Sequence, residues 1–347
     1  MKQITVREAE AGQRLLKLLS RCLKEAPDSF LHKMLRKKNI TLNHKKADGS
    51  ERVQAGDEIR IFLSDETYEK FAGAPKERET PYPVTELDIL YEDEHVLLVN
   101  KPAGMLTQKA KPSDVSLNEY VLGYLQQSGQ WSESAGGVRP SVCNRLDRNT
   151  SGIVICGKSM AGLQKMAELL RSRELHKYYQ CLVKGQISES RRIRGFLWKD
   201  PQTNKVEILP QERKGAAPIE TAYRPLRVFA DSTLLEVRLI TGRSHQIRAH
   251  LASEGHPIIG DYKYGLPGVN EAYRKRYGLC SQLLHACRLE LPVLEAPFEA
   301  LSGRCFEAEL PEPMKTIIRG KEEQPHVNLE YERTSGIRPG GDDQPHQ

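Results

Sequence analysis

The sequence lacks the features that would place it in several large classes of protein. Its 347 residues contain no apolar run of about eighteen residues, which argues against a membrane span. The first residues carry no apolar stretch of the kind that signal peptides have, so we expect a cytoplasmic protein. The seven cysteines are odd in number and form no C-x-x-C pair, so the sequence indicates neither a disulfide framework nor a zinc site.

Motifs of common enzyme classes are also missing. The sequence has no G-x-x-x-x-G-K-[ST] phosphate loop and no H-E-x-x-H metal-binding helix. Ser151-Gly152 lacks the preceding Gly-x of a hydrolase nucleophile elbow. No internal repeat is present. Hydrolysis by an activated serine, zinc chemistry and nucleotide hydrolysis on a phosphate loop therefore receive no support.

Positive charge is present, and its distribution is uneven. Residues 1–63 hold fourteen Lys/Arg against eight Asp/Glu, an excess of six that equals the net charge of the whole chain. Apolar residues around Leu15–Leu23 and Phe30–Leu35 recur at helical spacing. Lys33, Arg36 and Lys37 lie on the other side of the second predicted helix, where they could contact phosphates while the apolar side packs on a core.

Residues 12–63 resemble the small S-four-type RNA-binding domain. The matching features are a helix from Gln13, the basic helix Phe30–Lys38, the strand Ile40–Asn43 and the V-Q-A-G-D segment at 53–57. Asn39 is the residue that we expect to end the basic helix in the left-handed conformation. An ordinary small helix–strand unit would give a similar pattern, so this alternative stays open.

The rest of the chain divides by composition. Residues 64–85 are polar and contain Gly-Ala-Pro and Pro-Tyr-Pro, which is typical of an exposed linker. Residues 86–319 alternate strand and helix patterns with strands in excess, which predicts an α+β domain rather than a doubly wound parallel sheet. Residues 320–347 have few apolar groups and are predicted to be a disordered tail.

The most informative string is C-N-R-L-D-R-N-T-S-G at 143–152, directly before the apolar strand that starts at Ile153. Three charged groups within four positions beside a core are unfavourable unless they are paired or used in function. Asp147 can point inward at the strand entry while Arg145 reaches elsewhere. A salt-bridged loop would explain the same residues, and the pattern alone leaves both readings open.

This string resembles the H-R-L-D-x-x-T-S-G signature of RluA-type pseudouridine synthases, with Asn144 in place of the usual histidine. The resemblance implies a mixed, largely antiparallel sheet with flanking helices and a central cleft. It also implies that Asp147 is the catalytic aspartate and that Arg145 helps to flip the target base out of the RNA. The N-K-P-x-G match at 100–104 and the L-H-A match at 284–286 extend the similarity to about residues 87–290.

A second string, R-L-I-T-G-R-S-H-Q-I-R-A-H at 238–250, joins a strand to a helix that we predict to run from Ser244 to Ser253, capped by Ser244. Arg243 at the helix start, with His245 and Arg248 on one helix face, indicates an anion-binding corner for a carboxylate or an RNA phosphate. The string matches the family's G-R-x-H-Q-I-R-x-H. By that match Arg243 is the first candidate for an ion pair with Asp147, and Arg248 is the second.

Tyr179 completes the predicted site. It shares a strand face with Cys181 and Val183 and could point toward Asp147, although a core tyrosine would show the same pattern. The family's K-x-Y motif matches Lys177 and Tyr179 and implies that the tyrosine stacks on the uracil and assists proton removal. Pseudouridine formation needs no redox step or metal, so we expect no cofactor and no metal.

The resemblance as a whole predicts a monomeric enzyme that isomerises uridine in structured RNA, with large-subunit rRNA as the first choice and tRNA as an alternative. A catalytically silent RNA-binding or ribosome-assembly protein is a second class. A glycoside hydrolase is a third, but it needs two carboxylates across a sugar, and no second acidic partner stands out.

Overall fold

The computed structural model describes residues 1–72, 81–133, 138–200 and 206–323. The predicted disorder of the last residues, 324–347, lies outside the described residues. Two sheets are present within the described ranges, one of four strands near the N-terminus and one of eleven strands in the remainder. The predicted fold class, a mixed and mostly antiparallel α+β structure with a smaller N-terminal unit, is confirmed.

The N-terminal unit packs two helices on a small antiparallel sheet with strand order β1-β4-β2-β3. Its elements are β1 (Lys2–Thr5), a 3₁₀ turn (Glu8–Glu10), α1 (Leu15–Cys22), α2 (Asp28–Arg36), β2 (Ile40–Leu42), β3 (Lys45–Lys46), β4 (Glu58–Ile61) and α3 (Asp65–Ala72). Leu15, Leu19, Leu31 and Leu35 are fully buried in its core, which the 3.6-residue spacing of these leucines predicts. The left-handed residue after α2 is Lys38 (φ 60°), not Asn39 as predicted.

The first part of the predicted linker is structured. Residues Asp65–Ala72 form α3, and Phe71 of this helix stacks on Phe30 with 4.4 Å between ring centroids. Tyr68, Phe71 and Ala72 pack against the N-terminal core. An aromatic pair at this distance contributes more than its buried area alone. The prediction of an exposed tether is therefore wrong for residues 65–72.

The second unit is built on a long sheet with strand order β11-β10-β12-β13-β9-β14-β8-β6-β5. Two short strands lie off this path, where β7 pairs with β8 and β15 with β14. Its elements are β5 (Ile89–Glu92), β6 (Val96–Lys101), α4 (Leu117–Gln127), β7 (Ser141–Val142), β8 (Ser151–Gly157), α5 (Met160–Ser172), β9 (His176–Lys184), β10 (Arg191–Lys199), β11 (Val206–Leu209), β12 (Ala217–Val228), β13 (Ser232–Leu239), α6 (Gln246–Ser253), α7 (Pro267–Tyr277), β14 (Leu284–Glu290), β15 (Cys305–Glu307) and α8 (Glu312–Glu322).

Strands β8 and β14 form the one parallel pair among the described strands, and the loop that enters β8 carries the predicted catalytic aspartate. Every residue of β8 is buried, which explains its continuous apolar sequence. Ser159 caps α5, since its side chain accepts a hydrogen bond from the Gly162 amide at 3.0 Å. Helix α8 continues to Glu322, so the predicted tail begins a few residues later than residue 320.

Among the described residues, no helix is both long and apolar enough to cross a membrane.

Candidate active site

Asp147 lies in the loop between β7 and β8, and backbone contacts hold this loop in place. The Thr107 hydroxyl donates to the Leu146 carbonyl at 2.8 Å and accepts from the Leu146 amide at 3.2 Å. The Thr150 amide donates to the Asp147 carbonyl at 3.0 Å, which closes the turn that follows. The loop therefore presents the Asp147 side chain from a fixed backbone.

Asn144, where this sequence departs from the family signature, has a structural role. Its Oδ1 accepts a hydrogen bond from the Ile155 amide at 2.8 Å, and its Nδ2 donates to the Ile153 carbonyl at 3.4 Å. The side chain thus binds the backbone of β8 rather than the catalytic carboxylate. The departure leaves the position of Asp147 intact.

Gly152 allows β8 to approach β14 closely. Its φ is +112°, and a Cβ atom at this position would lie 2.2 Å from the Ala286 carbonyl oxygen. No side chain can be accommodated at that distance from a backbone atom. The T-S-G end of the motif therefore serves strand packing directly beneath the site.

Arg248 is the ion-pair partner of Asp147. Its Nη1 donates to Asp147 Oδ2 at 2.7 Å, while its Nε and Nη2 donate to Asp261 at 2.7 and 2.8 Å. The side chain of Arg248 is 9% exposed, that of Asp261 is 0% exposed and that of Asp147 is 24% exposed. Burial alone would raise the pKa of Asp261, but hydrogen bonds and charge from Arg248 outweigh it and hold the pKa below its ordinary value. Asp261 thus fixes the guanidinium through Nε and Nη2, and the remaining nitrogen, Nη1, donates to Asp147.

The prediction that Arg243 forms this ion pair is wrong, and the start of helix α6 explains why. The helix begins at Gln246, two residues later than predicted, and Ser244 does not cap it. His245 stands at the N-cap position in the left-handed conformation, with φ 57°. The exposed Arg243 lines the cleft instead, while Arg248 lies in the first turn and points into the protein.

Gln246 holds the turn that precedes α6. Its Oε1 accepts from the Thr241 hydroxyl at 2.8 Å and from the Arg243 amide at 3.1 Å, and its Nε2 donates to the Glu220 carbonyl at 3.0 Å. These contacts anchor the turn to β12. With the turn held in this way, the side chain of Arg248 reaches Asp147, while Arg243 is exposed.

His245 and Tyr264 border the same carboxylate. His245 Nε2 lies 3.8 Å from Asp147 Oδ1, and its Nδ1 is hydrogen-bonded to the Tyr264 hydroxyl at 2.9 Å. Burial lowers the pKa of His245 although Asp147 opposes the shift, so the ring is mostly neutral at pH 7. The Tyr264 ring also lies 5.2 Å from the Arg248 guanidinium. The imidazole of His245 therefore lies beside the Asp147 oxygen that Arg248 does not bond.

Tyr179 is buried in the core beside the site rather than in the lining of the cleft. Burial raises its pKa and the charge of Asp147 raises it further, which places the two groups within electrostatic reach of each other. Two residues earlier on β9, Lys177 lines the cleft, and burial lowers its pKa. Tyr179 is not among the residues that line the cleft of Asp147, and the roles assigned to it stay predictions.

The cleft in front of Asp147 has a volume of about 810 Å³ and a strongly positive lining. Seven Lys/Arg line it, whereas Asp147 is the one carboxylate among its lining residues within the described ranges. The seven are Arg145, Arg148, Arg171, Arg173, Lys177, Arg243 and Arg248. A cleft of this composition attracts a polyanion and offers one acidic group to it.

The other predicted RNA contacts lie in two places. Arg145 is exposed and lines the cleft two residues before Asp147. Lys33 and Arg36 are exposed on α2 and Lys37 is exposed directly after it, while the buried Leu35 lies on the opposite side of that helix, as predicted. These three cations belong to the N-terminal unit and are not part of the cleft lining.

Sequence reasoning missed three contributors. Asp261 is not predicted as a site residue, but it is fully buried, and a buried carboxylate needs a cationic partner, which Arg248 supplies. Lys101 is fully buried, and its ammonium donates to three backbone carbonyls, including that of Arg148 at 3.1 Å. Burial lowers the pKa of Lys101 to about 8. Arg173 belongs to no recognised motif. It lines the cleft because α5 ends there.

Comparison with known proteins agrees with this site. Residues 95–253 match the family model described as RNA pseudouridylate synthase. The ribosomal large subunit pseudouridine synthase C of Vibrio cholerae is 31% identical over 289 residues, which are 83% of this chain and 87% of that protein. The protein of the same name from Escherichia coli is 31% identical over 323 residues, covering 88% of this chain and 96% of its own length.

A solved structure shares the fold. Human RNA pseudouridylate synthase domain containing 4 superposes with a TM-score of 0.55 at 21% sequence identity, covering 67% of this chain and 92% of that chain.

The fold and the carboxylate-centred cationic cleft define an RNA pseudouridine synthase, an isomerase. The chain belongs to the RluA-type family of these enzymes. The S-four-type assignment of the N-terminal unit stays a prediction.

Proposed function

We propose that this protein isomerises specific uridines in large-subunit ribosomal RNA, with Asp147 as the catalytic carboxylate. The observation that carries the proposal is the position of Asp147 in the cationic cleft, oriented by the buried Arg248–Asp261 pair. The choice of RNA is supported by relatives that match most of this chain and are named for the large ribosomal subunit. A cytoplasmic monomer is part of the same proposal.

The chemistry follows from the two oxygens of Asp147. Oδ2 accepts the Arg248 hydrogen bond, which leaves Oδ1 for the ribose of the target uridine. In one route Oδ1 attacks C1′, the N1–C1′ bond breaks and uracil leaves with the bonding pair. In the other, the carboxylate removes the C2′ proton and a glycal forms as uracil leaves. In the first route the rotated uracil bonds to C1′ through C5 as the bond between Asp147 Oδ1 and C1′ breaks. In the second, C5 bonds to C1′ of the glycal and the proton held by Asp147 returns to C2′. Both routes end as C5 loses its proton and N1 gains one.

Arg248 would act as a positioning residue in either route. Its guanidinium is bonded to carboxylates on both sides and is therefore not available to bind a phosphate. By fixing one oxygen of Asp147 it restricts the rotation of the carboxylate, and the other oxygen then meets the sugar without reorganisation.

The raised pKa of Tyr179 bears on its role. Since burial and Asp147 both favour the neutral phenol, Tyr179 is poorly suited to act as a general base at neutral pH, and from the core beside the cleft it would support the wall of the uracil pocket. We therefore place the C5 proton transfer on a group that the substrate complex brings to the cleft or on solvent. Tyr179→Phe should then retain substantial turnover.

Arg145 is proposed to take the place of the extruded base. A base must leave the stack before its glycosidic bond can be reached, and an exposed side chain at the cleft mouth can fill the vacated space. The exposed cations of α2 would add phosphate contacts that place the cleft on a folded RNA.

The test is an isosteric change at the carboxylate. Asp147→Asn should reduce release of tritium from RNA labelled at uridine C5 to background, because only isomerisation frees that hydrogen. RNA binding measured in parallel should persist. Glu299→Gln, which removes an exposed carboxylate outside the cleft, serves as the control and should be fully active.

The choice of substrate separates the alternatives. Large-subunit rRNA and a tRNA pool are each incubated with the wild-type chain. Turnover on tRNA alone would reassign the substrate, and binding without turnover on either RNA would favour a silent RNA-binding protein. Normal turnover by Asp147→Asn would remove Asp147 from the chemistry.

A further inference from the structure

Helix α5 ends at an arginine in a backbone conformation that is unusual for residues other than glycine. Arg173 follows its last turn in the left-handed conformation, with φ 65° and ψ 21°. Helix α7 ends with the same backbone geometry, φ 66° and ψ 21°, but there the residue is Gly278. Glycine is the usual residue at this position because a Cβ atom is disfavoured there. An arginine at the end of α5 therefore retains a strain that glycine would relieve.

The side chain of Arg173 faces the RNA-binding cleft. Arg173 and its neighbour Arg171 both line the cleft, next to Leu175 and Lys177 at the entry of β9. His245, which borders Asp147, is the second left-handed non-glycine residue in this lining among the described residues. Sparsely populated backbone conformations are retained where surrounding function requires a given side chain. Both examples in this cleft carry cationic or imidazole side chains.

The helix that Arg173 ends, α5, also contacts the N-terminal unit. Gln164 of the same helix donates a hydrogen bond to the Gly12 carbonyl of that unit at 3.3 Å. Nine residues separate Gln164 from Arg173, which is about 13 Å along a helix. An RNA strand that enters the cleft from the N-terminal side would pass this end of α5.

We propose that Arg173 binds a backbone phosphate of the RNA next to the target uridine, on the α5 wall of the cleft. The proposal rests on the proposed function, since it names a substrate contact for that reaction. The guanidinium fork matches the geometry of a phosphate, and unlike that of Arg248 it is exposed. The competing explanation is that Arg173 only complements the negative end of the helix dipole.

A glycine substitution separates the two explanations. Arg173→Gly removes the cation and also removes the backbone strain, so the melting temperature should be unchanged or higher by roughly 2 °C. We expect KM for the RNA to rise roughly three- to tenfold with kcat retained, because a phosphate contact acts on binding. The slope of log Kd against log salt should fall by about 1.

Two further variants complete the experiment. Arg173→Lys keeps the charge on the same backbone and should recover most of the salt dependence. Arg319→Ala removes an exposed arginine near the end of α8, outside the cleft lining, and should leave KM and the salt slope unchanged.

Three outcomes would overturn the proposal: an unchanged KM and salt slope in Arg173→Gly, a loss confined to kcat, or an equal effect in Arg319→Ala. The salt slope of binding is measured without turnover. An inactive wild-type chain would therefore count against the proposed function while the contribution of Arg173 to RNA binding is still decided.

Discussion

Replacement of Asp261 by asparagine tests whether this buried carboxylate holds Arg248 in place for its bond to Asp147. Asp261 is fully buried and accepts four hydrogen bonds, two from Arg248 and two from the backbone amides of Lys263 and Tyr264 at 2.9 and 3.1 Å. Asparagine has the same shape, but its amide nitrogen can only donate. It would therefore face one of the two Arg248 donors with a donor of its own.

The expected loss of stability can be worked out from these contacts. Removing one partner of a buried ion pair destabilises a protein by about 3–5 kcal/mol. Arg248 keeps its bond to Asp147, so we take the lower end, about 3 kcal/mol. At roughly 2–4 °C per kcal/mol for a domain of this size, the melting temperature should fall by roughly 6–12 °C. Turnover should fall by up to about a hundredfold, because the Asp147 oxygen is no longer held in one orientation.

The pH dependence has a defined sign. The folded-state pKa of Asp261 is lowered, so the carboxylate stabilises the fold above its unfolded-state pKa of about 4, and this contribution is lost as the pH falls through the folded-state value. The stability difference between the wild type and Asp261→Asn should therefore be largest near neutral pH and should narrow in acid. Chemical denaturation at pH 7 and at pH 3.5 measures this difference.

Asp231→Asn provides the matched control. Asp231 also forms an ion pair, with Lys321 at 2.6 Å, and its pKa is also lowered, but its side chain is 49% exposed. Solvent screening should limit its loss to about 1 kcal/mol or less. Equal losses in the two variants, or a stable and fully active Asp261→Asn, would refute the inference that the buried carboxylate supports Arg248.

Two further predictions concern strand packing and RNA docking. Gly152→Ala should destabilise the protein by about 3 kcal/mol or more, because the new Cβ would meet a backbone oxygen of β14 at 2.2 Å; Gly303→Ala, at a positive φ in open space, should cost only about 1 kcal/mol in the same thermal melts. Changing Lys33, Arg36 and Lys37 together to glutamine should lower the salt slope of RNA binding by about 2 while tritium release from a short RNA stays unchanged; an unaltered slope would argue against docking through α2.

The candidate site could be predicted only as far as local motifs reach. Asp147 precedes an apolar strand, and the motif around it resembles a family signature. The choice between Arg243 and Arg248 depended instead on where α6 begins. At that start Gln246 is hydrogen-bonded to Glu220 of β12, which lies 26 positions earlier in the chain. Contacts of this kind leave no trace in the spacing of residues 238–250.

The helices of the N-terminal unit show the same contrast between local patterns, which the sequence reveals, and distant contacts, which it does not. The leucines of α1 and α2 recur at helical spacing, and the structure buries them in the core. The basic residues of α2 lie on the opposite, exposed side of that helix. Residues 65–72 were assigned to a linker on the composition of the whole segment 64–85. The helix α3 forms because Tyr68 and Phe71 find partners in the N-terminal core, and composition averaged over the segment concealed that local pattern.

The ion pair between Arg248 and Asp147 joins positions 101 residues apart in the chain. The strand that follows Asp147, β8, pairs with the late strand β14. During synthesis Asp147, Arg248 and Asp261 all leave the ribosome before β14 does. Until β14 is translated, β8 lacks its parallel neighbour strand. A chain that ends before residue 284 would accordingly contain the ion-paired residues of the site but not the completed sheet next to them, and the sheet can close only when this late strand pairs with β8.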